Sequence, residues 1–322
     1  MWREIKEAIH ANERFLITTH VQPDGDGIGS AAVFCSLLEQ MGKTPLFFCD
    51  GPLPDQFSFL DFNGAITHSL SEAEVFAPQV LIVLDTHSRE RIGRAERFIN
   101  ACQTVICIDH HQNKTPLGQL HAIDPQSCST GAMLYSLYKE CGLELTKRAA
   151  VGFYVSVICD TGRFSNAGTS RKAHKIANEC IKLGVDPVQI YSRLFEQIPL
   201  AQFTVFQKAL QRTQVHFGGK VIMHTIVASD HPDSKPVALD LDWLHELNKK
   251  IVEVECSVII QELAKQRVRV SIRTKNELDA LQIAAPLGGG GHHKAAGAVL
   301  EASVDEVKEK ILQSCRNLTL SV

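Results

Sequence analysis

The stretch Phe15-Leu16-Ile17-Thr18-Thr19-His20-Val21-Gln22-Pro23-Asp24-Gly25-Asp26-Gly27-Ile28-Gly29-Ser30 decides the fold. Five strand-forming residues run into a turn that holds one proline, two carboxylates and three glycines. From Gly29 to Met41 apolar residues return at helical spacing (Ala32, Val33, Leu37, Leu38), and Gly42 marks the stop. Strand, turn and helix in that order open a parallel α/β sheet. The i, i+2 spacing of Asp24 and Asp26 can aim both carboxylates at one cavity. Standing alone, the turn reads as an Asp-rich surface loop with a helix cap.

It does not stand alone. Apolar runs at Pro45 to Cys49, Val80 to Leu84 and Thr104 to Ile108 end in Asp50, Asp85 and Asp109. Ligands of open α/β sheets bind beyond the carboxyl ends of the strands, so four polar strand ends point to one site gathered there. Helical patterns follow at Thr146 to Cys159, leading into Asp160-Thr161-Gly162, and at Ser170 to Leu183, closed by Gly184. The expected fold class is α/β: a parallel-sheet domain over 1–190, a helical connector over 191–212 and a smaller α+β domain over 213–322. Within the latter, strands are expected at Lys220 to Val227, Glu255 to Leu263 and Arg267 to Arg273, and helices at Asp240 to Asn248 and Val304 to Ser314. An active-site cleft is expected between the two domains.

Carboxylates collected at the end of a dry sheet repel one another and resist ionisation unless cations neutralise them. Asp24, Asp26, Asp85 and Asp160 carry four negative charges, which two divalent ions balance, and His20 and His110 add neutral nitrogen donors. A pair of ions sharing one carboxylate fits that count, with Asp85 as the bridge. Oxygen and imidazole donors without thiolate suit Mn²⁺, with Mg²⁺, Co²⁺ or Zn²⁺ as substitutes.

Composition narrows the class. The chain has 322 residues, 44% hydrophobic and 21% charged, as soluble globular proteins do. A net charge of −3 argues against coating long nucleic acid, which needs a basic surplus. No apolar run approaches the roughly 20 residues of a membrane span, and Met1-Trp2-Arg3-Glu4 is unlike a signal peptide, so a cytoplasmic enzyme is expected. The ten cysteines show no Cys-x-x-Cys or finger spacing and read as reduced core thiols. Ser30 and Thr130 read as helix starts. His87, with eight other histidines, lacks an acidic partner at ligand spacing and reads as a surface or core residue.

Taken together, His20-x-x-x-Asp24-x-Asp26, Asp85, Asp109-His110-His111 and Asp160-Thr161-Gly162 resemble the ordered motifs of the Asp-His-His (DHH) phosphoesterase family. The tail Gly288-Gly289-Gly290-Gly291-His292-His293-Lys294-Ala295-Ala296-Gly297 resembles the glycine-rich motif of the DHH-associated domain. Arg163 stands where the family pattern varies. The resemblance implies that His20, Asp24 and Asp85 hold one ion, and Asp26, Asp85, His110 and Asp160 the other. It implies that His111 faces the scissile phosphate and that Asp109 orients a ligand histidine. Asp85 and His111 are therefore the catalytic candidates, and a homodimer is implied by the same analogy.

The activity implied is hydrolysis of very short single-stranded RNA to mononucleotides and of 3′-phosphoadenosine-5′-phosphate (pAp) to AMP. Arg273, Gly289, Gly290, Gly291, His292, His293 and Lys294 would hold the phosphate or base of the substrate, the glycines by exposing backbone N–H groups. A glycine run also reads as a flexible turn. Rival readings are cleavage of cyclic di-AMP or its linear product pApA, exopolyphosphatase or pyrophosphatase action, and a nucleotide sensor with an inactive site.

Overall fold

Strands β1 (Arg14–Thr18), from Phe15 to Ile17, and β4 (Val80–Leu84), throughout, are apolar because both faces of their sheet are covered. Phe15, Ile17, Val80, Ile82 and Leu84 point into one core, whereas Leu16, Leu81 and Val83 point into another on the opposite face. Between and beside them run β2 (Thr44–Phe48), β3 (Ile66–Thr67), β5 (Thr104–Asp109) and β6 (Leu120–Ile123). All pair in parallel, in the order β3-β2-β1-β4-β5-β6. The chain moves outward from β1 to β3, then returns to β4 on the other side. The β1/β4 junction is thus the switch point at which such sheets bind ligands.

The larger core lies under α1 (Arg3–Ala11), α2 (Gly25–Gln40), α4 (Thr130–Glu140), α5 (Lys147–Asp160), α6 (Arg171–Lys182) and α7 (Pro187–Phe195). The opposite face carries α3 (Leu70–Phe76) and the helical segment Glu90–Ile99. Helix α2 is buried from Gly25 to Leu38, which is why its sequence is apolar all round. It packs on α5 at backbone contact. A side chain at Gly29 would meet the Gly152 carbonyl at 2.6 Å, so glycine sets the approach.

This computed structural model describes residues 2–112, 117–232, 237 and 239–319, the side chains of 317–319 excepted. Two units divide between Gln197 and Ile198, so α7 falls in the first and α8 (Leu200–Gln211) in the second. The connector read over 191–212 therefore consists of helix, break and helix.

The second unit holds a mixed sheet of β7 (Gln214–His216), β8 (Val221–Ile226), β9 (Cys256–Ala264), β10 (Arg267–Thr274), β11 (Gly290–His292) and β12 (Ala295–Leu300). Its order is β11-β12-β10-β9-β8-β7, antiparallel except for β8 beside β9. Helices α10 (Ala280–Ala284) and α11 (Val304–Thr319) cover one face, and α8 and α9 (Leu241–Lys249) the other. The α/β reading of the chain holds. Part of the glycine run is strand rather than loop: Gly290 and Gly291 pair with Gly297 and Ala296.

None of the ten cysteines is disulfide-bonded, and burial pushes the Cys35 and Cys107 thiols up to about 12. Among the described residues no helix is long and apolar enough to cross a membrane.

Candidate metal centre

At the β1/β4 switch point the first unit brings together His20, Asp24, Asp26, Asp85, His110, His111 and Asp160. Among the described residues, three sets of donor atoms lie close enough to hold an ion: His20, Asp24 and Asp85; Asp26, His110 and Asp160; and Asp85, His110 and His111. Asp85 faces both sides. Its Oδ2 lies 3.6 Å from His20 Nε2, and its Oδ1 lies 3.7 Å from His110 Nε2. Its backbone has φ 60, a left-handed conformation that costs about 1–2 kcal/mol outside glycine and that Asp tolerates better than most residues.

The imidazoles are oriented by the main chain. His20 Nδ1 lies 3.0 Å from the Val21 carbonyl, and His110 Nδ1 lies 3.2 Å from the Ser127 carbonyl. A proton on Nδ1 leaves the Nε2 lone pair pointing at the carboxylates. Among the described residues the buried His110 Nε2 has no hydrogen-bond partner, and it lies 3.3 Å from Asp160 Oδ2 and 3.7 Å from Asp26 Oδ2. A buried nitrogen lone pair facing three carboxylates is a repulsive arrangement that a cation relieves.

Asp24 serves two purposes. Its Oδ1 accepts from the Asp26 and Gly27 N–H groups and caps α2, while Oδ2 lies 3.7 Å from His20 Nε2. The cap and the donor set use different oxygens of one carboxylate. Asp26, by contrast, is buried and held from several sides. Oδ1 accepts from Ser30 Oγ, Ser156 Oγ and the Gly131 N–H, and Oδ2 accepts from the Thr130 N–H. The N-terminus of α4 thereby offers its free N–H groups and positive dipole end to an anion.

Charge in this site is frustrated. Burial, followed by the charges of Asp26, Asp24, Asp160 and Asp109, pushes the Asp85 carboxyl well above the usual carboxylate range. Burial and then Asp26 and Asp24 raise Asp160 to about 8. Burial acts on Asp24 too, but the His20 hydrogen bond and charge and two backbone N–H groups outweigh it and lower its pKa to about 2. Carboxylates that cannot all ionise unaided, with imidazole lone pairs among them, fit divalent cations bound by oxygen and nitrogen.

Asp109 belongs to none of the three sets. It is buried, and its oxygens engage His111 and His87. Asp50, also a strand end, lies outside them and accepts from the Arg94 backbone N–H and guanidinium. Ser30, Thr130 and Ser156 were not legible as site residues. Ser30 alone left a signal, because i+4 from Asp26 shares its helix face. Thr130 Oγ1 donates to Asp85 Oδ1 at 3.2 Å, a contact between chain positions 45 apart. His87, read from sequence as lacking an acidic partner, has one in Asp109.

In the second unit Arg273 and Gly289 to Gly291 line a depression of about 490 Å³ with Arg269, Ser271 and Gly297. Arg269 was missed, although Arg269, Ser271 and Arg273 alternate on one strand and so share a face. His292, His293 and Lys294 are not among its lining residues. The Lys294 ammonium instead donates to the Asn276 and Leu278 carbonyls, and His293 Nδ1 lies 3.1 Å from Asp279. Arg273 pairs with Asp242 at 2.8 Å.

Comparison with known proteins places these features. The DHH family, N-terminal domain, matches residues 14–179, and the DHHA1 domain matches residues 218–318. The bifunctional oligoribonuclease and PAP phosphatase NrnA of Thermus thermophilus is 32% identical over 321 residues, 98% of this chain and 93% of that protein. The protein of the same name from Bacillus subtilis is 31% identical over 201 residues, 61% of each chain. A crystal structure of an exopolyphosphatase-related protein from Bacteroides fragilis matches with a TM-score of 0.90 at 20% identity, covering 98% of this chain and 95% of that one, a likeness of fold. With its ordered acidic and histidine motifs on the switch point of a parallel sheet and a DHHA1 domain behind them, this chain belongs to the DHH family.

Proposed function

We propose that the chain is a metal-dependent phosphoesterase that hydrolyses short oligoribonucleotides to mononucleotides and pAp to AMP. The observation that carries this reading is Asp85, whose two oxygens face imidazoles of separate donor sets. The similarity to NrnA supports the substrate class. His20, Asp24 and Asp85 would hold one ion, and Asp26, Asp85, His110 and Asp160 a second, with Mn²⁺ the metal this donor set favours. Divalent ions there supply Lewis acidity toward a phosphoryl oxygen and make water acidic enough to act as a nucleophile near neutral pH.

The protein's own groups do the rest. Asp26 keeps its orientation because its hydrogen-bond donors come from three helices, so the donor set is preorganised. His111 presents an imidazole to the phosphoryl oxygens. In the second unit, Arg273, Arg269 and the backbone of Gly289 to Gly291 take the terminal phosphate or base of the substrate. The reading carries with it a cytoplasmic location and a homodimer, the latter checked by light scattering.

Side-by-side turnover of pAp, pApA, a pentanucleotide RNA, cyclic di-AMP, pyrophosphate and long single-stranded RNA with Mn²⁺ tests the proposal. Turnover should be fastest on pAp, pApA and the pentanucleotide. In Asp85→Asn it should fall about a thousandfold, some 4 kcal/mol of barrier. Equal cleavage of long RNA, or parent-like activity in the variant, would overturn it. Arg273→Ala should raise KM on the pentanucleotide while leaving kcat on a small aryl phosphodiester near the parent value.

A further inference from the structure

Both oxygens of Asp109 are taken by histidines. Oδ2 lies 2.6 Å from His87 Nδ1, and Oδ1 lies 2.7 Å from His111 Nδ1 while also accepting from the His111 backbone N–H at 3.1 Å. The Asp109 side chain is fully buried, whereas His87 and His111 are 27% and 32% exposed. A buried carboxylate between two imidazole N–H donors is satisfied on both sides. Donating Nδ1–H to Asp109 holds the His111 ring in the tautomer whose Nε2 carries the lone pair.

The two contacts differ in what they do. The His111 contact is local, two residues apart, and leaves the carboxylate able to turn about its own bonds. The His87 contact comes from the segment after β4 and spans 22 positions, so it fixes Asp109 from the opposite side. Without it, that oxygen of a buried anion loses its hydrogen-bond partner among the described residues, and the carboxylate can rotate to recover one. His111, hydrogen-bonded to that carboxylate, would turn with it. Among the described residues, neither Asp109 nor His87 falls in a set of donors able to hold an ion.

We propose that His87 is a positioning residue, which clamps Asp109 in the orientation that aims His111 at the reacting phosphoryl group. The inference rests on the phosphoesterase reading and assigns His87 a place in it. Its loss acts on turnover through His111 and leaves the two ion sets intact.

The test is a double-mutant cycle on the Mn²⁺-loaded full-length chain with pAp as substrate. His87→Ala and His87→Leu should lower kcat roughly ten- to a hundredfold, the range seen when partners behind site residues are removed, with bound Mn²⁺ per chain and KM unchanged. His87→Asn, whose amide N–H lies where Nδ1–H was, should restore most of the loss. On a His111→Gln background, His87→Ala or His87→Leu should cost little more. The leucine variant fills the ring's volume and keeps the cycle readable if the alanine variant does not fold. Full additivity of the two losses, parent-like kcat in His87→Leu, or loss of bound Mn²⁺ in both variants would overturn the proposal. A parent protein that turns over none of the short substrates would instead remove the phosphoesterase reading, a different result from any of these.

Discussion

Gly27 has no room for a side chain. A Cβ there would lie 2.3 Å from Thr19 Oγ1 and 3.4 Å from Asp85 Oδ2. Thr19 is buried at the end of β1 and, being β-branched, has few rotamers into which to retreat. The added methyl must therefore displace the first turn of α2, which carries Asp26. Gly27→Ala should weaken Mn²⁺ activation and lower kcat by about tenfold or more, because displacements of an ångström in a preorganised site carry losses of that order. A Mn²⁺ titration of activity checks it, and parent-like half-activation would show that Thr19 yields at no cost. Asp24 shows why a bland and a functional reading of one residue need not compete: one oxygen caps the helix and the other joins the donor set.

At the scale of elements, α9 is tied to β8, β9 and β10 by a buried polar chain. Thr213 Oγ1 meets His224, His224 meets Asn248, Asn248 donates to Ser257 Oγ, and His245 joins Ser257 to Ser271 at 2.7 and 2.9 Å. Ser271 lies in the strand between Arg269 and Arg273, so this chain sets the floor of the glycine-lined depression. Burial first, then the positive charges of Arg273, Lys249 and His224, lower the His245 pKa from 6.5 to about 2. The unfolded chain gains a proton near pH 6.5 that the folded chain refuses. The stabilisation is thus present above that pH and is lost as pH falls toward 2. Denaturant unfolding should show a loss of about 1.4 kcal/mol from this group between pH 7.5 and 5.5, and His245→Gln should remove that part of the slope. His224, lowered chiefly by burial, acts in the same direction.

For the whole molecule, the metal centre couples ion binding to stability. Asp85 and Asp160, raised by burial and by their acidic neighbours, ionise in the unfolded chain near pH 4 but resist ionisation in the folded, metal-free one. The contribution of these two carboxyls to the stability of the metal-free protein should therefore fall as pH rises from about 4 through the Asp160 value near 8. Bound cations cancel that loss, so the difference in Tm between Mn²⁺-loaded and chelated protein should grow from pH 5.5 to pH 8. Thermal scans in EDTA and in Mn²⁺ measure it. A difference that is flat or shrinks with pH would mean that these carboxylates are not what the ions neutralise. The His245 effect is common to both samples and drops out of the difference.

Much of this was legible in the residues themselves. Continuous apolar runs ending in His20, Asp85 and Asp109 specify buried parallel strands whose ends share a side, and the helix after Gly25 follows from its periodicity. Period and burial are local properties, so local sequence carries them. The short strands Ile66–Thr67 and Leu120–Ile123 escaped, because two to four half-buried residues leave no period to read. Asp50 looked like a site residue until Arg94 was seen to occupy it. The anchoring of Asp26 by Thr130, Gly131 and Ser156, the link from His87 through Asp109 to His111, and the use of Lys294 on carbonyls all join residues far apart in the chain. Sequence names the residue types that gather at a sheet end. Which lone pair faces which proton is fixed only when helices from distant segments pack against it.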